Sequence, residues 1–508
     1  MSGVFFVAAA LLFCGAASAK TVVIYHTSDV HGRYASVNGM GGYPALAAQA
    51  KKEKAPVMFL DSGDWFIGTR EGAWTRGAAS IAMMNAVGYS AAVPGNHDFD
   101  YGQDNLRALL SSATFIPLAA NIKKDGKLVS YVKPYHIFEA GGVRIAVIGL
   151  ANHKTGKLTL PGYVKDIVFG DEVTALKAVL PRVLKEKPNA VILLVHDGIL
   201  TGERLDGASL KPSKKNYANG TLALAKAGGG KVQVILGGHR HTLLLNGFRD
   251  PRTATLIGET GHGFGAATRI ELSFDDTTGR FNGAKNTVVE LDTAKTGEDE
   301  TVLAAYRPIK AKADEAMSLL LGQSADVLSH KPVKAGEGDS PLGNLLCDII
   351  RSYAKTQLAV QNSNGMDADI KAGPVTIGSI YDVIRYENSL VTEELSGAQL
   401  EAMMLESLAG KSPALQVSGM EVVSVGGADG KAGSVSITIE GKPLNSSEYY
   451  SVATNNYLAN GTAYSGSLAA GRNPHDTMIP VRDMVIEGIK SYTGPLTAPP
   501  TGRILKGK

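Results

Sequence analysis

The feature that most limits the fold of this chain is a repeated local pattern, in which short runs rich in valine and isoleucine are each stopped by polar or glycine residues. Residues 21–25, 57–60, 145–150, 191–195 and 232–236 are runs of this kind, and residues 43–54 and 173–186 between them read as helices. Strands alternating with helices imply an α/β fold. Asp29, Asp64, His196 and His239 come at the ends of these runs. Ligands of α/β sheets bind at the carboxyl ends of the strands. The pattern therefore predicts a polar cluster along the carboxyl edge of one sheet.

Five short blocks supply that cluster: Asp29-Val30-His31, Gly63-Asp64, Gly95-Asn96-His97-Asp98, Val195-His196-Asp197 and Gly237-Gly238-His239-Arg240-His241. Any one of them alone is weak, since a histidine or aspartate after a strand is usually a cap or a hydrogen-bonded loop residue. Gathered in one cleft, buried carboxylates repel one another and imidazoles need partners, whereas divalent cations satisfy both. A carboxylate able to bridge, here Asp64, allows two ions about 3.5–4 Å apart, an arrangement suited to hydrolysing a phosphate ester.

The chain has 508 residues, enough for two or three domains. A net charge of +3, with no basic run interleaved with aromatics, gives no footprint for nucleic acid. Residues 4–13 are almost wholly apolar and Ala17-Ser18-Ala19 has the small-x-small form of a cleavage site, so residues 1–19 read as a signal peptide and the protein as periplasmic or secreted. The apolar run is too short to serve as a transmembrane anchor, and bulky Phe13 before Cys14 argues against lipid attachment there. Removal of the leader leaves Cys347 as the lone cysteine, which excludes an intrachain disulfide. Cys347 sits in an apolar helical run and reads as a buried, inert thiol.

Beyond a charged helical segment at residues 298–321 the texture changes to glycine-rich turns, helices at 342–353 and 397–408, and alternating strands near 420–425 and 435–439. These define a catalytic domain over 20–321, a linker over 322–335 and a second, α+β domain over 336–508.

The five blocks, in this order, resemble the calcineurin-like metallophosphoesterases. His26-Thr27-Ser28-Asp29-Val30-His31-Gly32, Gly95-Asn96-His97-Asp98-Phe99-Asp100-Tyr101-Gly102 and Gly237-Gly238-His239-Arg240-His241 resemble the bacterial 5'-nucleotidase branch, which includes UDP-sugar hydrolases. In the second domain Leu342-Gly343-Asn344-Leu345, Asn362-Ser363, Gln416-Val417-Ser418-Gly419 and Val452-Ala453-Thr454-Asn455 continue the likeness. The resemblance implies a layered α/β/β/α domain followed by a 5'-nucleotidase-type α+β domain, acting as a monomer on a small phosphate ester such as a nucleotide. It further implies that Asp29, His31 and His241 hold one divalent ion, that Asn96, His196 and His239 hold another, and that Asp64 bridges; Zn, Mn, Co, Fe or Mg would suit. His97 would stabilise charge on the scissile phosphate, oriented by Asp100. Asp98 stands where the family often has glutamate.

The second domain departs from the family's nucleotide clamp. Asn364-Gly365-Met366-Asp367 replaces a Gly-Gly-Ile-Arg run, Ala414 stands at an aromatic position, and Ala463 at that of a ribose-binding aspartate. Tyr457 is the ring left for stacking. Arg385 and Asn388, in Ile384-Arg385-Tyr386-Glu387-Asn388, are the candidate substrate contacts, and Lys411 and Arg240 are further sources of positive charge. Two other readings share these residues: the same chemistry on a cyclic phosphodiester or sulfur analogue, and a binding protein in which metal is structural.

Overall fold

The computed structural model describes residues 19–159, 161–199, 204–410, 414–426, 432–460 and 467–507. The leader, Cys14, Lys411 and Ala463 lie outside the described residues. Among those described, no helix is long and apolar enough to cross a membrane.

The first half is built on two six-stranded sheets. One has the order Phe281–Glu290, Ala266–Asp275, Ala19–Thr27, Val57–Asp61, Ala91–Ala92, Ile116–Pro117, and its last four strands are parallel. The other has the order Phe248–Arg249, Leu256–Glu259, Val234–Gly237, Ala190–Val195, Val143–Leu150, Tyr135–Ala140, with four parallel strands in the middle. Side chains alternate across each sheet. Val22 and Ile24 face a core shared with Val147, Ile192, Leu194 and Leu236 of the second sheet. Val23 and Tyr25 face the opposite way, into a core with the helices Tyr43–Ala50 and Ala78–Val87. Ala146, Ile148, Leu193 and Val195 pack likewise under the helix Glu172–Lys185. The result is the expected α/β/β/α layering.

One expectation changes here. The polar blocks do not share the edge of one sheet; they meet where the carboxyl edges of two packed sheets come together. A strand buried on both faces is apolar throughout, so its sequence carries no mark of which sheet it joins.

The helix Glu300–Met317 leads into the second half. Residues 322–335 were expected as a linker, yet Leu320–Ser324 is a strand paired antiparallel with Gly373–Thr376. The second half contains a five-stranded sheet, Leu415–Ser418, Leu358–Asn362, Tyr449–Asn455, Ser389–Ser396, Arg472–Pro480, and a four-stranded sheet that includes Met420–Gly426 and Ala432–Ile439. The helices Pro341–Ala354 and Gly397–Leu408 are capped by Ser340 and Ser396, whose hydroxyls accept from the Gly343 and Gln399 amides. Cys347 is fully buried in this domain's core.

Candidate metal centre and cleft

Asp29 and His31 follow the strand Ala19–Thr27, Asp64 follows Val57–Asp61, Asn96 follows Ala91–Ala92, His196 ends Ala190–Val195, and His239 and His241 follow Val234–Gly237. Two groups of ligand-type atoms result, Asp29, His31 and His241 in one and Asp64, His196 and His239 in the other, with the atoms of each group within 4.8 Å of one another. Asn96 joins the second, its Oδ1 lying 3.2 Å from His196 Nε2. Asp64 Oδ2 is also 3.2 Å from His196 Nε2, and the Asp64 charge acts on His31 of the other group.

Backbone carbonyls orient the imidazoles. His196 Nδ1 lies 2.6 Å from the Ser62 carbonyl and His31 Nδ1 lies 2.9 Å from that of Ile67. A proton shared with each carbonyl leaves the Nε2 lone pair turned toward the site. The Nε2 atoms of His31 and His241 are 3.3 Å apart. At that distance the two nitrogens can share one proton or one cation. Burial pushes His31 and His239 down to about 4, so both are neutral donors at pH 7. Burial alone would also lower His196, but the Asp64 charge and hydrogen bond, the Asp29 charge and the Ser62 carbonyl together outweigh it and raise the ring to about 9, which places there a proton that a cation would displace. Mixed oxygen and nitrogen donors, buried and preset, fit divalent transition ions.

The backbone is strained where these ligands sit. Asp29 (φ 53°), His31 (51°), Asp64 (63°), His239 (68°) and His241 (57°) all adopt the left-handed region. Each costs roughly 1–2 kcal/mol for a side chain of this kind, and such strain gathers at functional sites. Small neighbours permit the crowding. A Cβ on Gly95 would strike the Asp64 carboxylate, and one on Gly238 would strike Ser28 Oγ.

Asp98 emerges as a positioning residue. Its carboxylate accepts from the amides of Asp64 (2.9 Å), Trp65 (2.8 Å) and Gly95 (2.7 Å), joining two of the ligand loops. Arg240 is engaged by Asp197 at 2.8 Å, which joins the loops after His196 and His239 and removes it as a free cation.

His97 Nδ1 lies 2.7 Å from Asp100 Oδ2, and its backbone amide donates to Asp64 Oδ1 at 2.9 Å. Burial would lower this ring, but Asp100 and Asp64 together raise it to about 10, so it is an imidazolium at neutral pH. With Nδ1 taken by Asp100, Nε2 is the edge left for a ligand.

His97, Asp100, Asn96 and His239 open on a cleft of ≈ 430 Å³ whose far wall comes from the second domain. Tyr457 and Asn388 line it. Arg385 does not; its guanidinium pairs with Asp367 at 3.4 Å, away from the lining. Ala414 is also off the wall, its carbonyl accepting from the Ser363 amide. The residue the sequence reading missed is Tyr386, which lines the cleft with its ring centroid 6.4 Å from that of His97. Its signal was its aromatic ring between the two candidates Arg385 and Asn388. Among the described residues the cleft is thus lined by two tyrosines, Tyr386 and Tyr457. Glu387, next in sequence, is held by Arg482 and accepts from Tyr101 of the first domain at 3.2 Å, and Arg70 grips Asp382 through both oxygens, so the domains are tied on one side of the cleft.

Two family models match the chain, calcineurin-like phosphoesterase over residues 22–243 and 5'-nucleotidase, C-terminal domain over residues 321–465. Protein UshA of Yersinia enterocolitica is 26% identical over 483 residues, which cover 87% of this chain and 85% of that one. Endonuclease YhcR of Bacillus subtilis is 24% identical over 493 residues, 94% of this chain, and this chain spans 39% of its length. The crystal structure of a 5'-nucleotidase precursor from Thermus thermophilus superposes with a TM-score of 0.67 at 25% identity, covering 96% of this chain and 99% of that one. Residues 22–243 are thus a domain of the calcineurin-like phosphoesterase type, and residues 321–465 one of the 5'-nucleotidase C-terminal type.

Proposed function

We propose that this protein hydrolyses phosphate monoesters or phosphoanhydrides, with nucleotides as the principal substrate class, at a centre of two divalent ions. The observation that carries the reading is the convergence of the two ligand groups with the His97–Asp100 pair at the mouth of a cleft that also holds two tyrosines. Asp29, His31 and His241 would hold one ion and Asn96, His196 and His239 the other, with Asp64 between them. When bound, the ions would supply Lewis acidity and water activation at neutral pH.

The chain's own residues do the rest. The His97 imidazolium donates from Nε2 to a phosphoryl oxygen that gains charge in the transition state, and Asp100 holds the ring in position for it. Tyr386 and Tyr457 offer faces to a planar group of the leaving alcohol, such as the base of a nucleoside. Asn388 offers an amide to its polar edge. Export through residues 1–19 and action as a monomer complete the reading.

The test is a hydrolysis screen of the metal-loaded mature protein on mononucleotides, nucleoside diphosphate sugars, cyclic nucleotides and an aryl phosphate. Turnover of nucleotides above the aryl ester is expected. Activity on the aryl ester alone would remove the nucleotide assignment, and activity on none would remove the hydrolase.

A further inference from the structure

Nearly every charge around the cleft has a partner. On the wall, Asp100 is held by His97 and by Thr159 Oγ1 at 3.2 Å, and Glu387 by Arg482 and Tyr101. Around it, Arg240 is bound to Asp197, Arg385 to Asp367, Arg70 to Asp382 and Arg482 to Glu387, and none of the four lines the cleft. Lys157 differs on both counts. It lines the cleft, its side chain is exposed, and among the described residues no carboxylate pairs with its ammonium.

The segment that carries Lys157 is fixed to the catalytic apparatus at both ends. Before it, Asn152 Nδ2 donates to the His196 carbonyl at 3.1 Å, and the buried Thr155 hydroxyl donates to the Asn152 carbonyl at 2.8 Å. After it, Thr159, also buried, donates to Asp100, the partner of His97. The short helix Thr155–Leu158 is thus set against both His196 and His97, with one unpaired cation facing the space between the domains. A phosphate is the anion that a metal centre of this class brings to that space, and an ammonium meets it as a point charge with three donors.

We propose that Lys157 binds a phosphate of the substrate, so that substrate charge is recognised from the first domain. The inference rests on the phosphoesterase reading above. Its role is ground-state binding, distinct from the transition-state role of His97.

The experiment compares wild type, Lys157→Ala and Lys157→Arg, all loaded with manganese, by calorimetry with inorganic phosphate and by steady-state kinetics on whichever ester wild type turns over best. Lys157→Ala should raise both the phosphate Kd and KM by about tenfold, as expected on losing one charge-assisted contact, with kcat little changed. Lys157→Arg should recover most of the loss, and added salt should narrow the gap between wild type and Lys157→Ala. Because the side chain is exposed, equal thermal midpoints are expected for all three. A phosphate Kd unchanged in Lys157→Ala would overturn the proposal even if the enzyme is active. Tenfold weaker phosphate binding in Lys157→Ala, with no ester hydrolysed by wild type, would support the role of Lys157 and defeat the phosphoesterase reading. Failure of wild type to bind phosphate at all would defeat both.

Discussion

Removing the Glu387 carboxylate should destabilise the second domain far more than its place at a cleft wall would suggest. Its partner Arg482 is 1% exposed, with Nε donating to the Ile384 carbonyl at 2.8 Å, the guanidinium carbon 4.2 Å from the Tyr381 ring centroid, and a second terminal nitrogen already without a hydrogen-bond partner. In Glu387→Ala the guanidinium stays buried and loses its counter-charge. Breaking a buried pair from one side costs about 3–5 kcal/mol, and a domain of this size loses about 2–4 °C in Tm per kcal/mol, so the transition should fall by roughly 10 °C. Both tryptophans, Trp65 and Trp74, lie in the first half. If the halves unfold separately, calorimetry and far-ultraviolet circular dichroism should therefore show the shift while tryptophan fluorescence does not. The double variant Glu387→Leu/Arg482→Met removes both charges and should recover at least about 2 kcal/mol of the loss. A single variant costing under about 1 kcal/mol, or a double variant no better than the single, would refute the claim that desolvation of Arg482 dominates.

Asp64→Ala should lower the metal content of the purified protein from two ions to none, measured by elemental analysis, because in the proposed centre its carboxylate lies between the two ions. His97→Ala should keep both ions and lose about 10²–10³ in kcat on the best substrate, the usual loss for one transition-state donor. Glu393 gives a pH-dependent case: it is 4% exposed, and burial raises its carboxyl from 4.5 to about 7. Between those values the folded state holds a proton that the unfolded state has released, so this group's contribution falls as pH rises from about 4.5 to about 7 and stays low above it. Glu393→Gln should therefore leave stability at pH 4 nearly unchanged and raise it by about 3 kcal/mol at pH 8, read from urea unfolding at the two pH values.

The residues that sequence reading placed correctly are those whose position follows from the strand before them. Asp29, Asp64, His196 and His239 need only the knowledge that a strand has ended, and chain-local patterns supply that. What escaped it depends on pairing across the chain. Whether the runs at 145–150 and 191–195 join the sheet of residues 21–25 or another packed on it is decided by long-range register, to which uniformly apolar strands give no local clue. Backbone geometry was hidden for a related reason. Local rules give positive φ to glycine and asparagine, while here three histidines and two aspartates adopt it because contacts from several loops over-determine them.

The cleft shows the same division within a single pentapeptide. Of this run the sequence offered Arg385 and Asn388 as candidates, and charge made Arg385 the natural choice for meeting a phosphate. The loop, however, is fixed from below by Arg482, which binds Glu387 and the carbonyl of Ile384 from a helix that begins at Val481, nearly a hundred residues on. With both ends held, Tyr386 and Asn388 face the cleft and Arg385 is left beside Asp367. That pairing also changes how Asp367 is to be understood. A carboxylate in an arginine's place would repel a phosphate if it faced the substrate, whereas Asp367, beside Arg385 and off the cleft lining, is a paired surface group. Among the described residues, Arg385 and Arg482 on the second-domain side are thus spent on carboxylates of the fold, while on the catalytic side Lys157 lines the cleft.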